Sequence, residues 1–311
     1  MFTAVQKGLF PLVFIPCFII CFILYKFGKR PLKGTASFND RMEPLYSFSA
    51  AALLGTFFFQ ALPNATGPSG TQAGSIASGF IVLGLFIMLC IQKIQRVSNE
   101  NPYYVSPELN AIEIRFLINP ETIEFVDFYE AFDLESDTTA EDRLKLADER
   151  AELKKRRRIC ILTIVILSIL CLFEGFFLVY REPTALGGNW SIFVFFMLDK
   201  TIQSVVIATS MLHSFMQAEI RKYFLIVGIW CTACILSTVP ALADMDWTLC
   251  FTMVNHVATS IGYAFVGGFL LWIALYYMWI DRVRVDKCDT IYRLFVFGVV
   301  SIICWINGYF I

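Results

Sequence analysis

Residues 159–180 read ICILTIVILSILCLFEGFFLVY, and residues 190–212 read WSIFVFFMLDKTIQSVVIATSML. Each is long and apolar enough to cross a bilayer as a helix, because about 20 apolar residues span the hydrocarbon layer. Each also carries polar groups where hydrocarbon belongs: Glu174 in the first, and Asp199, Lys200 and Gln203 in the second. An ionised side chain at mid-membrane costs roughly 2.5–3.5 kcal/mol on insertion scales, so it is kept where it meets a partner or lines a polar path. Leu170 and Glu174 are four positions apart, as are Asp199 and Gln203, which puts each pair along one helix face. Counted at about 1.5 Å per residue from the outer ends, Glu174 and Asp199 fall within a turn or two of the same depth. Two readings are open at this point. Two facing acids at one depth make a cation site. Alternatively, Glu174 and Lys200 form an interhelical ion pair that fixes register, with Asp199 drawn toward the outer surface.

The rest of the chain has the same character. With 57% hydrophobic residues in 311 and a mean hydropathy of +0.65, it has too little polar surface to cover a water-soluble globule. The composition predicts an all-α, polytopic integral membrane protein. Apolar runs at 9–25, 45–62, 76–94, 224–242, 250–279 and 292–311 join the central pair to give eight expected transmembrane helices. Residues 1–96 hold spans one to three, 97–158 form a cytosolic loop with a charged helix at its end, and 159–311 hold spans four to eight. Within the loop, Thr138-Thr139-Ala140-Glu141 has capping-box spacing, and opposed charges three to four apart follow it into the fourth span.

Charge placement sets the orientation. Only Lys7 precedes the first span, whereas Lys26, Lys29, Arg30 and Lys33 follow it; this is not the basic-then-apolar order of a cleaved leader. Lys154 to Arg158, Arg221-Lys222, and Arg282, Arg284 and Lys287 mark further cytosolic loops. The positive-inside rule then places both termini outside. Asn64-Ala65-Thr66 and Asn189-Trp190-Ser191 are N-glycosylation patterns that fall on the outer side. The plasma membrane is the expected location. Gly79 and Gly84, with Gly262, Gly267 and Gly268, give small-residue faces that permit close helix approach, a candidate homodimer contact.

Ten cysteines and two histidines invite a metal-site reading. Most of the cysteines lie in apolar runs, where a cysteine is a small packing residue. Cys231 and Cys234 have CxxC spacing but no second pair. His213 and His256 read as local hydrogen-bonding residues. No catalytic serine or cysteine and no Gly-rich phosphate loop stands out, so the chain is read as no enzyme, with no bound cofactor and no nucleic-acid partner.

Several strings, in order, resemble the ZIP (Zrt/Irt-like) family of zinc and iron transporters. Gln60-Ala61-Leu62-Pro63-Asn64-Ala65 is similar to its H-x-x-P-[DE]-A, with Gln60 for the histidine and Asn64 for the acid. Residues 84–93 (GLFIMLCIQK) resemble its G-F-x6-E, with Gln92 for the glutamate, and residues 170–175 (LCLFEG) resemble H-[NS]-x-x-[DE]-G, keeping Glu174 and Gly175. Residues 198–204 (LDKTIQS) resemble its fifth-span L-H-K string, with Asp199 in the histidine place and Lys200 retained. Residues 237–242 (STVPAL) and 267–275 (GGFLLWIAL) resemble its sixth and seventh spans. The chain departs from the family where Gln60, Asn64, Gln92, Leu170 and Gln203 stand for His or acid.

The resemblance implies a homodimer in which spans one, four, five and six form a unit moving against the other four. It implies transport of a divalent metal into the cytosol, zinc first, with iron or manganese as the alternatives. Glu174 and Asp199 would then be ligands, with a carbonyl oxygen from Gln203 and a thiolate from Cys171, and Gln60, Asn64 and Lys200 would lie along the path. Carboxylate and amide oxygens favour harder ions than zinc, and Lys200 opposes any cation beside it. The alternative function is a non-transporting membrane protein on this scaffold, or a polytopic receptor, whose intramembrane acids are structural. A chain ending at Ile311 inside its last span lacks the cytosolic tail expected of a seven-span receptor.

Overall fold

The computed structural model describes residues 8–28, 38–66, 71–99, 140–178, 188–214, 220–242, 248–280 and 287–310, all of them helical. A 3-10 turn, Phe10–Val13, leads into α1, Phe14–Gly28. Helix α2, Phe38–Thr56, passes through a π-helical segment, Phe57–Ala61, into a last turn, Leu62–Thr66. Then come α3 (Thr71–Asn99), α4 (Ala140–Leu178), α5 (Gly188–Ser214), α6 (Ile220–Leu242), α7 (Thr248–Ile280) and α8 (Lys287–Phe310). Helix is the expected answer for such a chain: in hydrocarbon each backbone N–H and C=O must bond within its own segment.

Six helices are long and apolar enough to cross a membrane, over Phe10–Phe27, Pro44–Thr66, Arg156–Gly175, Ile192–Leu212, Arg221–Val239 and Ser260–Met278. Within the described residues, the third and eighth expected spans are the shorter apolar stretches Ile76–Cys90 and Leu294–Ile306. The chain is an all-α, multi-pass membrane protein. Large apolar side chains such as Phe18 and Ile19 on α1, Phe86 on α3, and Leu294, Phe295 and Trp305 on α8 are exposed, as lipid-facing residues are. Helix α4 has 39 residues, about 58 Å at 1.5 Å per residue. The charged helix expected at the end of the loop is therefore continuous with the fourth span, although Thr138 and Thr139 of its capping-box pattern lie outside the described residues.

The helices pack as two sets. Helix α4 pairs with α5 and α6, and α1 lies against α5 and α6; α7 pairs with α3 and α2, and α8 with α2. The sets meet mainly where α2 crosses α5 and α7 touches α4. The division is one, four, five and six against two, three, seven and eight.

Glycine sets the closest approaches. A Cβ on Gly175 would fall on the Ser237 carbonyl, so α4 and α6 touch backbone to backbone there. Likewise a Cβ on Gly84 would lie 2.7 Å from the Phe265 carbonyl oxygen, with Gly268 packed opposite. Gly262 meets the Phe173 ring and Gly267 the Phe57 ring. Four of the five glycines expected to form a contact between chains thus serve packing within this one, and only Gly79 of the five meets nothing within 4 Å.

The π-helical segment has a local cause. Pro63 has no N–H to give the Phe59 carbonyl four residues back, and its ring crowds that carbonyl. The turn before it widens, and the Leu62 N–H bonds the Phe57 carbonyl five residues back. Single π turns of this kind recur at functional sites.

Candidate functional site

The widened turn directs Gln60 inward, where α2, α4 and α5 meet. There the Gln60 amide donates to Asp199 Oδ1 at 2.8 Å. The Gln203 amide, one turn along α5, donates to Asp199 Oδ2 at 2.6 Å. Lys200 completes the cluster. Its ammonium pairs with Glu174 Oε2 from α4 and donates to Asp199 Oδ2 at 3.1 Å and to Gln203 Oε1 at 3.2 Å. Beneath it lies the Phe196 ring, 5.2 Å from nitrogen to centroid, close enough for a cation–π attraction. Lys200 is 0% exposed and Glu174 7%, so this is a sealed ionic cluster. Two oxygens in it, Glu174 Oε1 and Gln60 Oε1, are buried with no hydrogen-bond partner.

The helix around the cluster is braced by its neighbours. The Trp230 indole on α6 donates to Ser204 Oγ at 2.8 Å, and Ser204 Oγ donates to the Lys200 carbonyl at 2.7 Å. Cys21 on α1 donates to the Ser204 carbonyl at 3.7 Å. These bonds hold the rotation of α5, and with it the side on which Asp199, Lys200 and Gln203 converge.

Both readings of the central pair find something here. The Glu174 to Lys200 ion pair is present, and both acids contact the one Lys200 ammonium. Asp199 is not drawn to the outer surface; two amides and the Lys200 ammonium hold it in the cluster. Of the other site residues expected from sequence, Cys171 donates to the Ala233 carbonyl of α6 at 3.9 Å. Asn64 lies half-buried in the last turn of α2, outside this hydrogen-bonded group. Asn189 falls in the first turn of α5, and the side chains of Asn189, Gln92, His213 and His256 lie outside those described. Among the described residues, no three or more His, Cys, Asp or Glu side chains are grouped so as to hold a metal ion.

Sequence reasoning missed Phe196 as the floor of the cluster. Its position four residues before Lys200 was the available signal, since i and i+4 share a face. Gln60 was expected on the path but not as a direct partner of Asp199; that depends on the widened turn.

Chemically, the cluster is a small cage of oxygens with an ammonium inside it. With both carboxylates ionised, two negative charges and one positive leave a net charge of −1. Fold and site together define a multi-pass helical membrane protein with a charged centre shared by three helices. The chain matches no protein-family model, no curated protein and no solved structure.

Proposed function

We propose that this protein carries a divalent metal cation across its membrane into the cytosol, zinc first and iron(II) or manganese as the alternatives. In this reading Lys200 holds the site between passages of metal. One observation carries it: a completely buried ammonium is ringed by oxygens of Glu174, Asp199 and Gln203, while Glu174 Oε1 and Gln60 Oε1 are buried in the same cluster without hydrogen-bond partners. A cage that holds one cation offers the same oxygens to another once the flexible lysine stem swings aside. Moderate affinity is what transport needs, since the ion must leave again. Inward movement down a negative potential gains about 2.3 kcal/mol per charge per 100 mV.

The packing of α1, α4, α5 and α6 apart from α2, α3, α7 and α8 supports a moving unit and a scaffold, with the cluster at their contact. The finer architecture belongs to the same proposal: eight spans, both termini outside, a homodimer, and a place in the plasma membrane. A second reading rests on the same lysine. Its positive charge already offsets one carboxylate and stands where a metal would, so the cluster would be a permanent structural lock in a non-transporting protein.

Uptake of labelled zinc, iron and manganese, normalised to surface protein, separates the two. Transport predicts uptake above background that falls steeply, per molecule at the surface, in Glu174→Gln and Asp199→Asn. Wild-type protein at the surface with no uptake of any of the three metals overturns the transport reading and favours the structural lock.

A further inference from the structure

The hydrogen bonds of the bundle divide unevenly between its two helix sets. Tyr223 on α6 donates to the Cys21 carbonyl on α1, the Trp230 indole on α6 to Ser204 on α5, and Ser214 on α5 to the Arg156 carbonyl on α4. With the Lys200 to Glu174 pair, these tie α1, α4, α5 and α6 to one another. The bond from Gln60 to Asp199 instead crosses between the sets, from α2 to α5. Elsewhere on the same seam the Phe173 ring of α4 rests against Gly262 of α7, an apolar contact, which has no preferred direction.

We propose that Gln60, carried on the π turn Phe57–Ala61, is a latch that locks the two helix sets together at the charged cluster and opens when that turn shifts. The turn is anchored on one side and reaches out on the other. Phe57 and Ala61 both lie against Gly267 of α7, in their own set, while Gln60 between them reaches α5 at 2.8 Å. An amide on a carboxylate is a tie that is firm and can still be undone. The bond is charge-assisted, roughly twice as strong as a neutral one, yet opening it separates no ion pair. Asp199 then keeps partners from its own helix, the Gln203 amide at 2.6 Å and the Lys200 ammonium at 3.1 Å. On the other side of the bond, Gln60 Oε1 has no hydrogen-bond partner to hold the side chain back. A π turn closes five residues back where an α turn closes four back. Shifting it past position 60 therefore rotates this side chain by about 100°, one residue's turn of an α-helix, which takes the amide off Asp199. The latch regulates the cluster described above and rests on the transport reading for its purpose, but its existence is a property of the two helix sets.

The test reads distances rather than uptake, so the latch and the transport reading fail separately. Spin labels are carried on unnatural amino acids, which leaves the native cysteines in place. They are set at exposed positions with one label in each helix set: Leu225 on α6 with Leu294 on α8, and Leu236 on α6 with Ile306 on α8. Double electron–electron resonance is measured on the full-length protein in lipid nanodiscs. The wild type is expected to give one narrow distance for each pair. Gln60→Met keeps the length of the side chain without its donor and is expected to add a second distance in at least one pair. Pro63→Ala keeps Gln60 but restores the N–H whose absence widens the turn, and is expected to do the same. Gln60→Glu with Asp199→Asn exchanges the two ends of the bond at unchanged total charge and is expected to return the single distance. A single distance that persists in Gln60→Met overturns the latch, and one that persists in Pro63→Ala overturns the turn as its release. A second distance that survives the exchange also overturns the latch, since the loosening would then come from packing.

Discussion

The Lys200 ammonium on α5 is bonded to the Glu174 carboxylate on α4, and both side chains are buried. Through this pair the two helices with the costliest residues in the chain offset one another's charge. Gly175, next along α4, lets the same stretch press against the Ser237 backbone of α6. Ion pair and backbone contact together fix the height and rotation at which Glu174 is presented.

Gly175→Ala is expected to sharply reduce folded protein, because its Cβ would collide with a backbone carbonyl that has no rotamer to change. Gly228→Ala and Gly298→Ala are the comparison, since a Cβ at either position meets nothing within 4 Å. Alanine exceeds glycine in helix propensity by about 1 kcal/mol, so these two should melt at or above the wild-type temperature. Monodisperse yield and thermal unfolding in detergent check the contrast. A Gly175→Ala protein as stable as the wild type would mean that the close α4 to α6 approach is wrong.

Much of this architecture was legible in the sequence because hydrocarbon is an exacting solvent. A run such as 159–180 can satisfy its backbone there only as a helix, and a charge such as Glu174 must find a partner such as Lys200. What could not be read were features set by helix rotation. Nothing local tells whether Gly84 and Gly268 face another chain or each other. Gln60 depends on a second-order effect: the missing Pro63 N–H widens the turn, and the widening aims the amide at Asp199.

The Gln60 amide donates to Asp199 Oδ1, so Gln60→Leu leaves that oxygen short of a donor in a buried place. A lost partner of this kind costs about 1–3 kcal/mol. Gln60→Glu should be worse, because it sets a third carboxylate against Asp199. Thermal unfolding of the two variants, expected in the order wild type, Leu, Glu, checks the geometry; an unchanged melting temperature for both would contradict it.

Orientation is testable from the exposed basic residues. Arg158 on α4, and Arg221 and Lys222 in the first turn of α6, are exposed, as anchors at a cytosolic surface would be. With the native cysteines replaced, a cysteine at position 140 should react with an impermeant maleimide only after cells are permeabilised. One placed just after Thr66 should react on intact cells. The reverse pattern would invert the topology.

The ion pair itself offers the most informative measurement. Removing one partner of a buried pair leaves an uncompensated charge and typically costs about 3–5 kcal/mol, whereas replacing both with apolar groups of similar size is often neutral. Glu174→Gln leaves the Lys200 ammonium with Asp199 as its remaining carboxylate, so its cost should fall at the low end of that range. Lys200→Met leaves two buried acids facing each other with no cation between them, and should cost more. The double variant should recover most of the Lys200→Met loss, since one carboxylate held by two amides then remains. Four melting curves close the cycle. A coupling near zero would mean that Lys200 does not reside on Glu174 in the folded protein. A large coupling in stability, joined to faster metal uptake by Lys200→Met per surface molecule, would identify the lysine as the cation that the transported metal displaces.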